Sequence, residues 1–259
     1  MSKICQAFDK GKAFIPFLTC GDPDTETTAA AVRAAAENGA DLIELGIPFS
    51  DPTAEGPVIQ GANLRALRGG ITTDKVFALV RELRRDVTVP LVFMTYANVI
   101  FSYGAERFLS ACGEAGIDGL ILPDLPYEEK GEFLAPCRKH GVDLISMIAP
   151  TSADRIAMIA REAEGFLYVV SSLGVTGERR EISTDLAAII RTIRENAEAP
   201  CAIGFGISTP DQARQMAALA DGVIVGSAIV RILEQYGKEA PPKVGEYVRA
   251  MKQAIADLN

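Results

Sequence analysis

The chain has 259 residues, 48% of them hydrophobic, and a formal net charge of −8 at pH 7. The negative charge argues against nucleic acids and anionic membranes as partners, and no apolar run reaches the roughly 20 residues of a membrane-spanning helix. Because single α/β barrels of about 250 residues are common and the N-terminus lacks an apolar signal segment, we expect one cytoplasmic domain over residues 1–259.

A recurring sequence phrase marks the start of several buried strands. A glycine and an aspartate precede an apolar run at residues 39–41, 116–118 and 141–143, and Ala220 and Asp221 precede another. Glycine commonly ends a helix, and a short apolar run is typical of a buried strand. The phrase therefore indicates that helices and strands alternate along the chain.

The apolar runs predict eight strands with helices between them. The predicted strands are residues 13–19, 41–46, 90–95, 119–122, 143–148, 166–170, 201–204 and 222–225. Helical periodicity predicts helices at residues 25–38, 75–85, 106–115, 128–140, 154–164, 185–197 and 211–218. A short N-terminal helix and a closing helix at residues 244–257 lie outside this repeat.

This alternation favours an α/β fold, a single-domain (β/α)8 TIM barrel with an extra N-terminal and an extra C-terminal helix. Continuous apolar strands imply a parallel sheet covered by helices, and eight repeats suggest that the sheet closes. An open doubly wound sheet is the alternative, but no G-x-G-x-x-G motif opens a strand-to-helix junction.

Glu44 is an acidic residue in a predicted strand whose two faces are both apolar. Side chains alternate along a strand, so Glu44 lies on the face opposite to Ile43 and Leu45. A buried carboxylate must be paired, hydrogen-bonded or protonated, because an unpaired charge there costs several kcal/mol. A structural role is one interpretation. A catalytic role is favoured, because the inserted loop at residues 46–57 is stiffened by three prolines and carries a second acid, Glu55.

Glycines mark three late junctions, at residues 174–177, 204–206 and 226–228. Barrels commonly bind phosphate with backbone amides and a helix N-terminus after strands seven and eight. The amides expected to bind are those of Gly206, Gly226 and Ser227. The junctions together predict a phosphate-monoester site, although tight turns would explain each glycine separately. The polar segment 171–183 predicts a mobile lid, with a plain surface loop as the alternative.

Several absences narrow the chemistry. His140, the single histidine, precedes a glycine at a predicted helix end, which excludes a histidine-based metal site or catalytic triad. No lysine lies in a predicted strand, which disfavours a Schiff base, and the five scattered cysteines predict neither disulfides nor a zinc site. Carboxylate acid–base chemistry by Glu44 and Glu55 remains. Tyr96 and Tyr168 are candidate hydroxyl donors, with structural hydrogen bonds as the alternative.

Side chains near the strand ends outline a candidate apolar pocket for the substrate. They are Phe17, Met94, Ile121, Ile148, Val170 and Phe205. An ordinary barrel core would show the same pattern, so these residues alone do not distinguish a binding site from packing.

Seven segments give the chain a close resemblance to the α subunit of tryptophan synthase. They are FIPFLTCGDP, LIELGIPFSDPTAEGPVIQGANLRAL, FMTYANVIF, GLILPDLPYEE, SSLGVTG, IGFGIST and VGSAIV, in the order of that family. The resemblance implies a lyase of tryptophan biosynthesis that cleaves indole-3-glycerol phosphate to indole and glyceraldehyde 3-phosphate by a retro-aldol reaction. Other phosphate-binding barrels share only the late glycines and use lysines or metals that this chain lacks.

The resemblance also implies roles for individual residues. Glu44 matches the acid–base residue that protonates indole C3 and takes a proton from the side-chain hydroxyl. Glu55 stands where the family usually has an aspartate that holds the indole N–H, and Thr176 matches a lid threonine that bonds this carboxylate on closure. The substrate-contacting tyrosines fall on Tyr96 and Tyr168, and the phosphate contacts fall on Gly177, Gly206, Gly226 and Ser227.

The resemblance further implies a β subunit that carries pyridoxal phosphate, receives the indole and forms an α2β2 heterotetramer with this chain. No cofactor or metal is expected on the chain itself, and residues 50–57 are expected to form part of the contact with the β subunit. The alternative function is a catalytically weak regulatory subunit that binds the phosphate ligand and switches on its partner.

Two residues depart from the family pattern. Glu55 replaces the usual aspartate, and Thr53 stands where an apolar residue is usual. A carboxylate displaced by about an ångström can cost on the order of 10²-fold in rate if nothing compensates. The loop's prolines and glycines are intact, so we expect local compensation and expect Glu55→Asp to keep or raise activity.

Overall fold

The computed structural model describes residues 2–170 and 186–258, in which eight parallel strands form a closed barrel. The strands are β1 (Ala13–Thr19), β2 (Ile43–Gly46), β3 (Leu91–Met94), β4 (Gly119–Ile121), β5 (Asp143–Ile148), β6 (Leu167–Val170), β7 (Cys201–Gly204) and β8 (Gly222–Val225). β8 pairs with β1, with Ala13 opposite Gly222, so the sheet has no free edge. The predicted barrel is confirmed, and the open sheet is excluded.

The α-helices of the described residues pack around this barrel and, in the case of the first, across its N-terminal end. They are α1 (Lys3–Gln6), α2 (Thr25–Glu37), α3 (Pro57–Arg68), α4 (Thr73–Leu83), α5 (Ala97–Tyr103), α6 (Ala105–Ala115), α7 (Gly131–Lys139), α8 (Ala153–Arg161), α9 (Leu186–Asn196), α10 (Pro210–Ala217), α11 (Ser227–Tyr236) and α12 (Ala240–Ile255). None of these helices is long and apolar enough to cross a bilayer. The predicted extra helices are α1 and α12.

The segment between β2 and β3 differs from the sequence prediction. The sequence predicts an inserted loop ahead of the next helix, whereas the structure has a loop followed by the additional helix α3. Pro57 occupies the first turn of α3, where its missing N–H costs nothing, so this proline starts a helix and does not extend the loop. Ile59, Ala62 and Ala66 are buried at helical spacing and pack α3 against the barrel. The short helix α5 was also not predicted.

Side chains of the strands alternate between the barrel interior and the layer beneath the helices. Phe17 and Leu42 belong to the interior cluster, whereas Ile43 and Leu45 pack in the outer apolar layer. Ile4 of α1 is fully buried in the interior cluster and closes the N-terminal end of the barrel. The interior at the C-terminal ends of the strands is therefore where a ligand site can form.

Candidate active site

Glu44 of β2 lies on the interior face, opposite Phe17 of β1. Its side chain is only 1% exposed, and neither carboxyl oxygen has a hydrogen-bond partner within the described residues. Burial, and secondarily the charge of Glu55, raises the pKa of Glu44 to about 8. Within the part of the chain that the structure describes, Glu44 is therefore not tied to backbone amides as a structural carboxylate would be. At neutral pH it is mainly a protonated acid that can donate its proton.

Glu55 lies at the end of the loop that precedes α3 and is 8% exposed. The Asn63 side chain donates a hydrogen bond from Nδ2 to Glu55 Oε2 at 2.7 Å. Burial raises the pKa of Glu55 to about 7, and the Asn63 bond acts in the opposite direction. The two carboxyls are therefore buried, have raised pKa values and differ in their hydrogen bonding.

Glu44 and Glu55 line one cavity at the C-terminal end of the barrel. Apolar and aromatic side chains complete its wall: Phe17, Ile59, Met94, Met147, Tyr168 and Phe205. The cavity thus combines a flat apolar surface, suited to an aromatic ring, with two acids that can move or bind protons.

Three residues of the predicted pocket lie elsewhere. Ile148 packs in the outer apolar layer, because the alternation along β5 turns Ile145 and Met147 inward and Ile148 outward. The prediction took the strand-end residue and so chose the wrong face; Met147 is the residue of β5 that lines the cavity. Ile121 is fully buried in the interior but does not line the cavity, and Val170 lines a neighbouring hollow.

The two candidate tyrosines have different surroundings. Tyr96 follows β3, and its hydroxyl accepts a hydrogen bond from the Ala54 backbone N–H at 3.0 Å, so Tyr96 holds the loop next to Glu55. Tyr168 of β6 lines the cavity, and burial, followed by the charge of Glu44, raises its pKa well above the usual range. Both hydroxyls stay protonated at neutral pH.

The predicted phosphate-binding residues Gly206, Gly226 and Ser227 line the same cavity. α11 begins at Ser227, and the residue before it, Gly226, has no side chain that could cap its first amides. These amides and the positive end of the helix favour an anion. Phe205 and Gly206 both have positive φ values, 77° and 78°, which turn the chain sharply at this end of the cavity. Thr176, Gly177 and the predicted lid lie outside the described residues.

Sequence reasoning missed several residues at this site. Ser208 and Arg231 line the cavity together with Ser227. Arg231 stands four positions after Ser227 and so on the same face of α11, a spacing that could have revealed it. Nothing in the sequence marks Asn63, because its contact with Glu55 depends on how α3 is oriented relative to the loop that carries Glu55.

An ion-pair group connects α3, the helix that follows Glu55, with α11, the helix that begins at Ser227. Arg65 of α3 binds the fully buried Asp22 through two nitrogens, Nε and Nη2, at 2.8 and 2.9 Å. Its third nitrogen, Nη1, binds Glu234 of α11 at 2.7 Å. Arg65 therefore fixes the helix that follows Glu55 against the helix that begins at Ser227.

Comparisons with known proteins agree on one family. The family model of the tryptophan synthase alpha chain matches residues 5–256. The tryptophan synthase alpha chain of Lacticaseibacillus casei is 48% identical over 255 residues, covering 98% of this chain and 96% of that one. That of Lactiplantibacillus plantarum is 50% identical over 256 residues, with 98% and 97% covered.

Solved structures give the same result. The tryptophan synthase subunit alpha of Legionella pneumophila str. Paris has a TM-score of 0.89 and 40% identity, with 100% of both chains covered. A chain of the tryptophan synthase complex from Pyrococcus furiosus has a TM-score of 0.87 and 35% identity, with 94% of this chain and 99% of that one covered.

Proposed function

Because this chain belongs to the tryptophan synthase alpha chain family, we propose that Glu44 and Glu55 catalyse in it the reaction of that family. The protein is a lyase that cleaves indole-3-glycerol phosphate to indole and glyceraldehyde 3-phosphate. One observation carries the residue assignment: two buried carboxyls share a cavity with the uncapped N-terminus of α11.

Substrate binding uses both ends of the cavity. The phosphate binds the amides at Gly206 and at the start of α11, and Arg231 adds positive charge there. The indole ring lies among the apolar side chains, with Phe17 opposite Glu44 in the barrel wall. Fixing the phosphate thus holds the ring beside the two acids, which is the positioning that a unimolecular cleavage needs.

Proton transfer begins at Glu44. The protonated carboxyl gives its proton to indole C3, and positive charge develops at the ring nitrogen. The Glu55 carboxylate accepts a hydrogen bond from the indole N–H and stabilises that charge. Both roles match the environments of the acids, since Glu44 holds its proton to about pH 8 and Glu55 is bonded by an amide donor.

Bond cleavage returns the proton. Glu44, now a carboxylate, removes the proton from the hydroxyl on the carbon attached to C3. The O–H electron pair forms the aldehyde C=O, the bond between that carbon and C3 breaks, and its electron pair restores the aromatic indole. Glu44 has then donated one proton and regained one, so the reaction needs no redox partner.

The β subunit is the expected recipient of the indole. In Pyrococcus furiosus the homologous chain belongs to a tryptophan synthase complex described as a2b2. This chain likewise has a β subunit as its partner, and we assign residues 50–57, at the same end of the barrel as the cavity, to the contact. Pyridoxal phosphate on that partner, the absence of a cofactor on this chain and a cytoplasmic location stay predictions.

The decisive experiment compares indole release by the wild-type chain and by Glu44→Gln, each with and without the β subunit. We expect the variant to lose at least about 10²-fold in kcat in both settings, because the proton donor is gone. Unfolding curves of the two proteins provide the folding control. The regulatory alternative predicts a different result. Glu44→Gln would then keep full activity, and only Ser227 variants would fail to activate the partner.

A further inference from the structure

Asn63 is a buried polar residue that takes no direct part in the proton transfers described above. It lies on α3, is 3% exposed and directs its side-chain amide at Glu55 Oε2, 2.7 Å away. Both partners are almost completely shielded from solvent, so water competes little for this hydrogen bond. A buried amide that bonds one of two neighbouring acids makes those acids chemically unequal.

We propose that Asn63 is a positioning residue that keeps Glu55 ionised and aimed at the cavity, so that Glu44 is the acid that retains the proton. The inference rests on the proposed function, because it explains how two similar side chains acquire opposite roles. Asn63 acts through Glu55 and need not touch the substrate.

The physical basis is selective stabilisation of a charged form. An N–H donor stabilises a carboxylate more than a protonated carboxyl, so the Asn63 bond lowers the pKa of Glu55 against the effect of burial. Glu44 has no hydrogen-bond partner within the described residues, and both burial and the Glu55 charge raise its pKa. When one proton is shared between the two, Asn63 therefore favours the arrangement in which Glu44 carries it.

Among the residues that the structure describes, the other titratable groups that line the cavity or lie next to Glu55 do not reproduce this effect. Tyr168 from β6 and Tyr96 after β3 are neutral, because burial raises the pKa of each. Arg231 from α11 lines the cavity beside Ser227, but burial and the Asn63 bond are what shift the pKa of Glu55. Glu44 itself, if ionised, would oppose ionisation of Glu55.

The contact also explains how the chain accommodates a glutamate at position 55. Replacing Glu55 by aspartate shortens the side chain by one methylene, so the carboxylate can keep its 2.7 Å contact with the Asn63 amide only if the loop shifts by about 1 Å. The sequence alone favours Glu55→Asp as a neutral or improving change. The Asn63 contact reverses that expectation, and Glu55→Asp should lose activity.

The first test measures the titration of Glu55 directly. Carboxyl 13C NMR of glutamate-labelled protein, assigned by the signal that disappears in Glu55→Gln, would follow Glu55 in the wild type, in Asn63→Leu and in Asn63→Ala. We expect both Asn63 variants to raise the Glu55 midpoint by about one pH unit or more. The acidic limb of kcat/KM for indole release should move upward by the same amount.

Gln60→Leu is the matched control. Gln60 lies on the same helix and also donates an amide hydrogen bond to Glu55 at 2.7 Å, but to its backbone oxygen and not to its carboxylate. This variant should leave the midpoint and the acidic limb in place. An unmoved midpoint in folded Asn63→Leu and Asn63→Ala, or an equal shift in Gln60→Leu, would overturn the inference.

The second test moves one methylene between the partners. In the double variant Glu55→Asp/Asn63→Gln, the donor side chain is one methylene longer and the acceptor side chain is one methylene shorter, so the hydrogen bond can form again. We expect Glu55→Asp to lose about tenfold or more in kcat and the double variant to recover most of it. No recovery would argue against a positioning role. If the wild type released no indole, the proposed function would fail, while the NMR titration would still decide whether Asn63 tunes Glu55.

Discussion

Glu44 and Glu55 are chemically similar side chains whose roles are separated by their surroundings. Glu44 is enclosed without a hydrogen-bond partner within the described residues, whereas Glu55 is bonded by Asn63. Burial raises both pKa values, to about 8 for Glu44 and about 7 for Glu55. We therefore expect the active form to be the one in which Glu44 is protonated and Glu55 is ionised.

This pairing predicts a bell-shaped pH dependence of indole release. Activity should fall below about pH 7 as Glu55 gains a proton, and above about pH 8 as Glu44 loses one. The two limbs belong to the coupled pair. Measurement of kcat/KM from pH 5.5 to 9.5 would show the maximum between them; a rate that is constant down to pH 5.5 would contradict the role of Glu55.

The raised pKa of Glu44 also predicts a cost in stability. Because the folded state favours the protonated acid, Glu44 costs nothing below its unfolded pKa near 4.5, and the cost grows as pH rises towards 8. Glu44→Gln should therefore raise the free energy of unfolding at pH 8.5 by an amount on the order of several kcal/mol at most, and much less at pH 5. Urea unfolding at both pH values would measure this. Exposed Glu132 provides the control in Glu132→Gln, which should show no such pH dependence.

Single residues differ in how far sequence alone could place them. The sequence identifies Glu44 because an unpaired carboxylate in an apolar strand is energetically unfavourable. Ile148 was misplaced because being near a strand end does not determine which face a side chain takes. Asn63 gave no signal, since a polar residue on a helix is ordinary until the fold brings it to its partner.

At the level of elements, α3 organises the site more than any strand. Its first turn follows Glu55, its middle carries Asn63 and its last turn carries Arg65. Strand positions followed from apolar runs, and four strands have the predicted ends. α3 was missed because the prolines before it indicate a loop, and only the burial of its apolar stripe against the barrel identifies it as a helix.

Removal of the Arg65 side chain should loosen the connection between α3 and α11. Arg65→Met would leave the fully buried Asp22 without its cation. We expect the free energy of unfolding to fall by about 2 kcal/mol, which is less than for a completely buried ion pair because Arg65 is 30% exposed. KM for the phosphorylated substrate should rise, since Glu234 of α11 loses the same partner. Arg68→Met on the same helix removes an exposed arginine and should change neither quantity.

At the level of the whole molecule, the two ends of the barrel have separate tasks. The cavity and the loop before α3 lie at the C-terminal ends of the strands, and Ile4 fills the opposite end. Side chains added at Gly119 or Gly165 would come within 2.7 or 3.2 Å of Ile4, so these glycines leave room for it. The barrel could be predicted from sequence because strands and helices alternate along the whole chain. The fit of α1 into the end of the barrel could not, because it depends on side-chain packing.

This division predicts that stability and catalysis respond separately to changes at the N-terminal end. Ile4→Ala should lower the unfolding free energy by about 2 to 4 kcal/mol, because it leaves a cavity in a fully buried cluster. Thermal unfolding would measure the loss. Assayed at a temperature where the variant is folded, kcat for indole release should stay within about twofold of the wild type, and a much larger fall would contradict the separation.

Because Ile4 closes the N-terminal end of the barrel, we expect substrate and products to pass through the opposite end, where the cavity lies. The loop that carries Glu55 and the turn before α11 border the cavity at that end. A protein bound over this end of the barrel would therefore control whether indole is released to water or transferred to that protein. Packing at Ile4, on the far side of the molecule, thus makes the delivery of indole depend on what binds at the cavity end of the barrel.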